Sequence, residues 1–420
     1  MKTISLLIAC CLASIGMHAD YLLIPMDYAQ KNHLKAYGIA YKVLNYQVNV
    51  DWLLNYRGGS FMFKYTTVFE QELQLRGISY DRISDGKSNE IMALVTSEGV
   101  NMDAMKLEKA PKVAVYSPKN SQPWDDAVTL ALTYAEIPYE VIYDAEVLEG
   151  KLEAYDWLHL HHEDFTGQYG KFYAKSRNDA WYKEDVRAKE STARMFGFNK
   201  VSQMKLAVAQ EIHRYLSEGG FLFAMCSATD TYDIALSADG VDICDYMFDG
   251  DPPDPAAQQK LDFSKSLAFR DFELVRSPFR YEFSNIDSNT GRRVPEHMDY
   301  FTLFEFSAKW DPVPSMLCQN HTRTVKGFMG QTTSFRKSLL KLEEGVLVMG
   351  ELKAYNEARY IHGFRGKGMW TYYGGHDPED YRHLVGEDPT DLALHPNSPG
   401  YRLILNNILF PAARKKKRKT

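Results

Sequence analysis

The chain has 420 residues, 45% hydrophobic, 25% charged and 13% aromatic. That is ordinary globular composition; it excludes disordered, collagen-like and coiled-coil classes and suits two compact domains or one large α/β body with insertions. The formal charge is −6, but six of the 49 basic residues are Arg414 to Lys419, and the 43 that remain face 55 acidic ones, so the body is too acidic for a generic nucleic-acid binder.

Residues 1–19 read as a secretory signal. Lys2 is the positive n-region, Ile4 to Ile15 the apolar stretch, and Met17-His18-Ala19 the cleavage site before Asp20. The expected location is therefore the periplasm or cell envelope. Leu7-Ile8-Ala9-Cys10 also fits a lipobox, which would anchor the chain at Cys10. No later stretch has 18 consecutive apolar residues, so no transmembrane segment is expected. Once Cys10 and Cys11 leave with the signal, Cys226, Cys244 and Cys318 remain, an odd number with no CxxC pattern.

From 20 to 108 the pattern predicts an N-terminal α/β segment: strands at Tyr21–Met26, Val48–Leu54 and Ile78–Ile83, helices at Lys31–Tyr46, Val68–Leu75 and Ser88–Val95. Alternation of this kind points to a parallel sheet. Lys106–Pro111 reads as a linker. A second α/β domain, 109–413, follows. Its expected strands are Lys112–Tyr116, Tyr139–Tyr143, Trp157–Leu160, Phe221–Met225, Glu344–Glu351, Ala358–His362 and Met369–Tyr373. Its expected helices are Ser121–Ala135 (opened by Ser121 and Pro123), Val201–Glu218, Thr229–Leu236 and Tyr401–Leu409. Insertions are expected near 165–200 and 240–335, and 414–420 is a basic tail. The fold class is thus α/β, with open, mostly parallel sheets flanked by helices.

Open α/β sheets bind ligands at the carboxyl ends of their strands. Three polar clusters fall there: His161-His162-Glu163-Asp164, Cys226-Ser227, and His376-Asp377-Pro378-Glu379-Asp380. Cys226 stands between an apolar strand and a helix, among small residues, the setting of a nucleophile elbow. His376 is the candidate general base, with Asp377 or Glu379 to orient it. The Ser227 N–H and the loop starting at His161, His162, Glu163 and Asp164 are candidate oxyanion or substrate contacts. His159, His161 and His162 raise a weaker metal alternative, since three convergent imidazoles suit zinc. Phe165, Tyr169, Phe172, Tyr173, Trp181 and Tyr182 would form a lid or stacking wall, as a small-molecule, peptide or glycan substrate would favour. Asp27, Gln30, Asn32, His33, Asn55 and Arg57 lie at strand ends of the first segment and could supply the other half of a cleft. Arg57-Gly58-Gly59-Ser60 matches neither a P-loop nor GxGxxG, and no cofactor is expected.

Residues 112–236 with 344–410 resemble the class I glutamine amidotransferase-like fold, the flavodoxin-like group that includes ThuA-like domains. The carriers are Lys112–Tyr116, Ile137–Ile142, Tyr155–Leu160, Gly219–Phe223 leading into Cys226, and Gly366–Met369 leading into Gly375-His376. The resemblance implies a Cys226–His376 thiol site acting on an amide, ester or peptide bond. Ala224 and Ala228 replace the elbow glycines of the family, and Pro378 takes the place of its glutamate. The whole chain is also similar to exported bacterial proteins labelled asparagine synthetase B. That chemistry needs a cysteine after the initiator Met and an S-G-G-x-D-S loop; here Lys2 follows Met1 and the loop is missing. The same fold also admits a non-catalytic, ligand-binding envelope protein.

Overall fold

The computed structural model describes residues 20–118, 126–384 and 386–413. The signal-like residues 1–19 with Cys10, the helix opening at Ser121 and Pro123, and the basic tail 414–420 lie outside the described residues.

The first sheet comprises β1 (Tyr21–Ile24), β2 (Val50–Leu54), β3 (Ser60–Lys64), β4 (Asp81–Ile83) and β5 (Asp103–Leu107). Their order is β4-β1-β3-β2-β5, and every neighbouring pair is antiparallel. The parallel sheet expected from the α/β alternation is therefore corrected. Between β2 and β3 run only residues 55–59, far fewer than the dozen or so a parallel crossover needs. Ser60–Lys64 is a strand beyond those expected, and this one extra hairpin strand reverses the chain. The turn is tight: Asn55, Arg57, Gly58 and Gly59 all have positive φ. At Gly58 a Cβ would come within 2.3 Å of the Met26 carbonyl oxygen, so only glycine fits. The expected linker is partly strand too, since β5 runs to Leu107.

The second sheet holds β6 (Val113–Tyr116), β7 (Glu140–Ile142), β8 (Trp157–Leu160), β9 (Phe221–Met225), β10 (Tyr300–Leu303), β11 (Thr324–Lys326), β12 (Phe335–Arg336), β13 (Leu347–Leu352), β14 (Glu357–Arg365) and β15 (Gly368–Tyr373). The order is β11-β10-β13-β14-β15-β9-β8-β6-β7, with β12 beside β14. Five strands, β7-β6-β8-β9-β15, are mutually parallel; the rest pair antiparallel. Every residue of β6 and β8 is buried, as expected for strands covered on both faces. The helix Val201–Glu218 carries the chain from β8 back to β9 and ends at Gly219 in a left-handed conformation. The chain is thus a mixed α/β protein with one antiparallel and one mixed sheet. Segment 240–335, expected as an insertion, contributes β10 and β11 to the large sheet's far side.

One apolar core joins the two sheets. Leu22, Tyr37 and Trp52 of the first segment share it with Val113, Trp157, Leu403 and Ile404. The helix Pro399–Leu409 is the fastener. Its buried Arg402 donates to the carbonyls of Met26 (2.8 Å) and Gly58 and to the Tyr37 hydroxyl (3.0 Å), and Asn406 accepts from Tyr37. Among the described residues no helix is long and apolar enough to cross a membrane.

Candidate functional site

The carboxyl ends of β6, β8, β9 and β15 lie side by side, and the three polar clusters meet there. Cys226 follows β9 with φ +50°, a left-handed conformation that costs a non-glycine residue about 1–2 kcal/mol. Its neighbours stitch it in place. The Cys226 N–H donates to Gly375 O (3.1 Å), the Ala228 N–H to His161 O (2.9 Å), and the Thr229 hydroxyl to Cys226 O (2.7 Å). The elbow thus ties β8, β9 and β15 together through backbone groups.

The thiol is covered. Gln331 lies over it and donates its backbone N–H to Sγ at 3.3 Å. The Gln331 side chain donates to Gly170 O (2.9 Å) and Tyr281 O (3.0 Å), pinning three loops together. Burial pushes the Cys226 thiol up to about 11, although backbone N–H groups of Gln331, Ser227 and Thr332 pull the other way. Cys226 is therefore a neutral thiol at neutral pH. Burial likewise lifts the Asp230 carboxyl, one helical turn on, to about 7; it accepts from the Thr332 hydroxyl at 2.9 Å.

The imidazoles form a chain. His376 Nδ1 and His161 Nε2 share a hydrogen bond at 2.9 Å. His161 Nδ1 lies 3.5 Å from Asp126 Oδ1, and His159 Nε2 lies 3.3 Å from Asp126 Oδ2. His159 Nδ1 donates to Phe223 O (3.1 Å). Burial holds His161 and His162 well below the usual imidazole range, and burial with the neighbouring His383 takes His376 down to about 4. Burial alone would raise Asp126, but the imidazoles of His159 and His161 outweigh it and keep the carboxylate ionised. With His161 and His376 neutral, the contacts of these two rings put a proton on His161 Nδ1, facing Asp126, and on His376 Nδ1, facing His161. The lone pair then falls on His376 Nε2, which is buried without a hydrogen-bond partner.

Other expected roles are corrected. Asp377 does not orient His376; its carboxylate caps a turn, accepting from Glu379 N (2.8 Å) and the Thr390 hydroxyl (2.8 Å). Glu379 pairs with His395 at 3.2 Å. Glu163 accepts from the Tyr143 hydroxyl (2.8 Å), and Asp164 shapes its own loop by accepting from Thr166 and Gly170. The Ser227 N–H faces the thiol. Phe165 packs between Tyr116 and Tyr232 as core, and Tyr169 and Tyr182 belong to a buried satellite cluster. Phe172 and Trp181 do form a half-buried wall, with Tyr281 beside Phe172.

The first segment's polar residues are used elsewhere. Asp27 pairs with Arg57 (2.9 Å), and Arg57 also with Asp81 (2.8 Å). Asn55 bonds Gln319, and Asn32 caps its own helix. Gln30 donates to the carbonyls of Pro25 and Ser79, and His33 stacks on His321. Conversely, Asp126, Asp230, Gln331 and Thr332 belong to the site and were not singled out from the sequence. Asp230, four residues after Cys226, had a local signal; Asp126 lies ten residues beyond β6 at the N-cap of the next helix, and Gln331 had none.

No protein-family model matches the chain, and no curated protein matches it. Two solved structures are similar to it over 72% of this chain and all of theirs, both at 10% identity. They are a cytoplasmic protein STM3548 from Salmonella typhimurium, at a TM-score of 0.34, and a cytoplasmic protein STM1381 from Salmonella typhimurium LT2, at 0.32. Likeness at that level carries no argument about fold or function.

Proposed function

We propose that the protein is a cysteine-dependent hydrolase of the flavodoxin-like, class I glutamine amidotransferase-like group, acting on an amide, ester or peptide bond. The strand order β7-β6-β8-β9-β15, with the site at its carboxyl edge, supports the fold half of this reading. The observation that carries the chemistry is the run of contacts from Asp126 through His161 to His376, ending on an unpartnered Nε2 on the residue next to Gly375, whose carbonyl holds the Cys226 backbone.

In the resting state thiol and imidazole are both neutral. Proton transfer accompanies attack: Sγ bonds to the substrate carbonyl carbon as its proton passes to His376 Nε2. His161 and Asp126 hold the imidazole and stabilise its positive charge, the task first expected of Asp377 or Glu379. Backbone N–H groups gathered at Sγ, from Ser227, Gln331 and Thr332, are placed to stabilise the oxyanion. The leaving group takes the proton from His376, and water then cleaves the thioester, restoring the thiol and releasing the acid. The signal-like residues 1–19 support an exported location for this activity.

A second reading is favoured by the neutral, covered thiol: a protein of the same fold that binds a ligand at this edge without chemistry. Treatment with p-nitrophenyl acetate separates the two. The expected result is one acetyl group on Cys226, located by peptide mass mapping. Acetylation should be lost in Cys226→Ala and slowed about a hundredfold or more in His376→Asn. Absence of acetylation at Cys226, or an unchanged rate in His376→Asn, removes the enzyme reading and leaves the binding one.

A further inference from the structure

His161, His162 and His376 come from two strand ends more than two hundred residues apart. One ring nitrogen from each lies within 4.8 Å of the other two, and all three side chains are buried. His161 Nε2 and His376 Nδ1 are only 2.9 Å apart. Two neutral imidazole nitrogens at that distance share either a proton or a cation. Nitrogens on a tetrahedral zinc stand roughly 3.3 Å apart at ordinary Zn–N lengths, so the cluster reaches that geometry by contracting about 1.5 Å at most. Behind the rings stands the Asp126 carboxylate, 3.5 Å from His161 Nδ1, where metal-binding histidines keep an outer carboxylate.

We propose that His161, His162 and His376 bind a zinc-class divalent cation, and that this cation is a reversible brake on the Cys226 site. The donor set is all imidazole. It suits zinc, copper or nickel and not magnesium or calcium, which need oxygen. The brake follows from the imidazole itself. A neutral ring has one lone pair and one N–H. Whichever nitrogen of His376 binds the metal, the other keeps its hydrogen, and no lone pair remains to accept the Cys226 proton. The metal site stands on its own geometry; the brake rests on the hydrolase reading above.

The test uses the full chain and zinc chloride alone. Equilibrium dialysis should give one zinc per chain in the wild type and in Cys226→Ala, and binding weakened tenfold or more in His162→Ala. Cobalt(II) added to the wild type should give the visible bands of a tetrahedral nitrogen site without a sulfur charge-transfer band, a readout that needs no variant to fold. Less than about a fifth of an equivalent of zinc overturns the site, as does a sulfur–cobalt band or undiminished binding in a folded His162→Ala. Bound zinc should slow acetylation of Cys226 at least tenfold, with recovery on adding EDTA; an unchanged rate overturns the brake. If Cys226 is never acetylated, the hydrolase reading and its brake fall together, while dialysis and cobalt spectra still decide the site.

Discussion

Asp126 does two things with one carboxylate. It caps the helix Ala127–Tyr134, accepting from the N–H groups of Val128 (2.7 Å) and Thr129 (3.1 Å), and it stands as the anion behind His159 and His161. The two roles separate by substitution. Asn keeps a cap acceptor and removes the charge, and Asn is as good a helix cap as Asp. Asp126→Asn should therefore hold thermal stability within about 0.5 kcal/mol of the wild type, while acetylation of Cys226 falls tenfold or more. Asp126→Ala should lose both, with stability down by about 1 kcal/mol. Unfolding curves and acetylation rates on the same preparations check this. An Asn variant that acetylates at the wild-type rate would show that the carboxylate is only a cap.

Among the connecting elements, the loop carrying Gln331 decides how closed the site is. Its side-chain amide bonds the carbonyls of Gly170 and Tyr281 while its backbone N–H meets the thiol. Gln331→Ala should cost about 1–3 kcal/mol for the two lost hydrogen bonds. Hydrogen exchange should quicken in the segments around Gly170 and Tyr281, and Cys226 should become more accessible to alkylation; unchanged exchange there would show the clamp to be idle. This loop also marks the limit of what was legible. Strands β6, β8, β9 and β15 and the helix Val201–Glu218 announce themselves as apolar runs bounded by glycine or turn residues. A parallel sheet then gathers its strand ends, so Cys226, His161 and His376 could be expected to meet. Gln331 reaches Cys226 across 105 residues from a segment with no hydrophobic period, and nothing local encodes that meeting. Asp377 and Glu379 misled because adjacency to His376 suggested an orienting role; the turn needed their oxygens instead. In the first segment, leaving out the single strand Ser60–Lys64 was enough to turn an antiparallel sheet into a parallel one on paper.

On the scale of the whole molecule, the junction of the two sheets is sensitive to acid. His33 stacks on His321 with ring centroids 4.3 Å apart, its ring nitrogens facing Asn397 Oδ1 and the carbonyls of Met26 and Asp27. Burial and the nearby Arg402 guanidinium take His33 down to about 4, and burial with His33 and Arg402 takes His321 to about 3. Between those values and the unfolded value near 6.5, the unfolded chain holds more protons than the folded one. Stability is thus fully present above pH ~6.5 and is lost as pH falls toward 4. For His33 alone the loss amounts to about 3 kcal/mol. Urea unfolding at pH 7 and pH 4.5 should show the decline, and His33→Asn should make it shallower; an equal decline in that variant would place the acid sensitivity elsewhere. The same junction orders the molecule in time. Arg402 and Asn406 complete hydrogen bonds that Met26, Tyr37 and Gly58 cannot close among themselves, and Leu403 and Ile404 fill the core under the first sheet. During synthesis the earliest strands therefore wait, with part of their apolar face uncovered, until residues 399–409 have emerged. A chain built in this way closes the core under its first sheet only when its last helix is made.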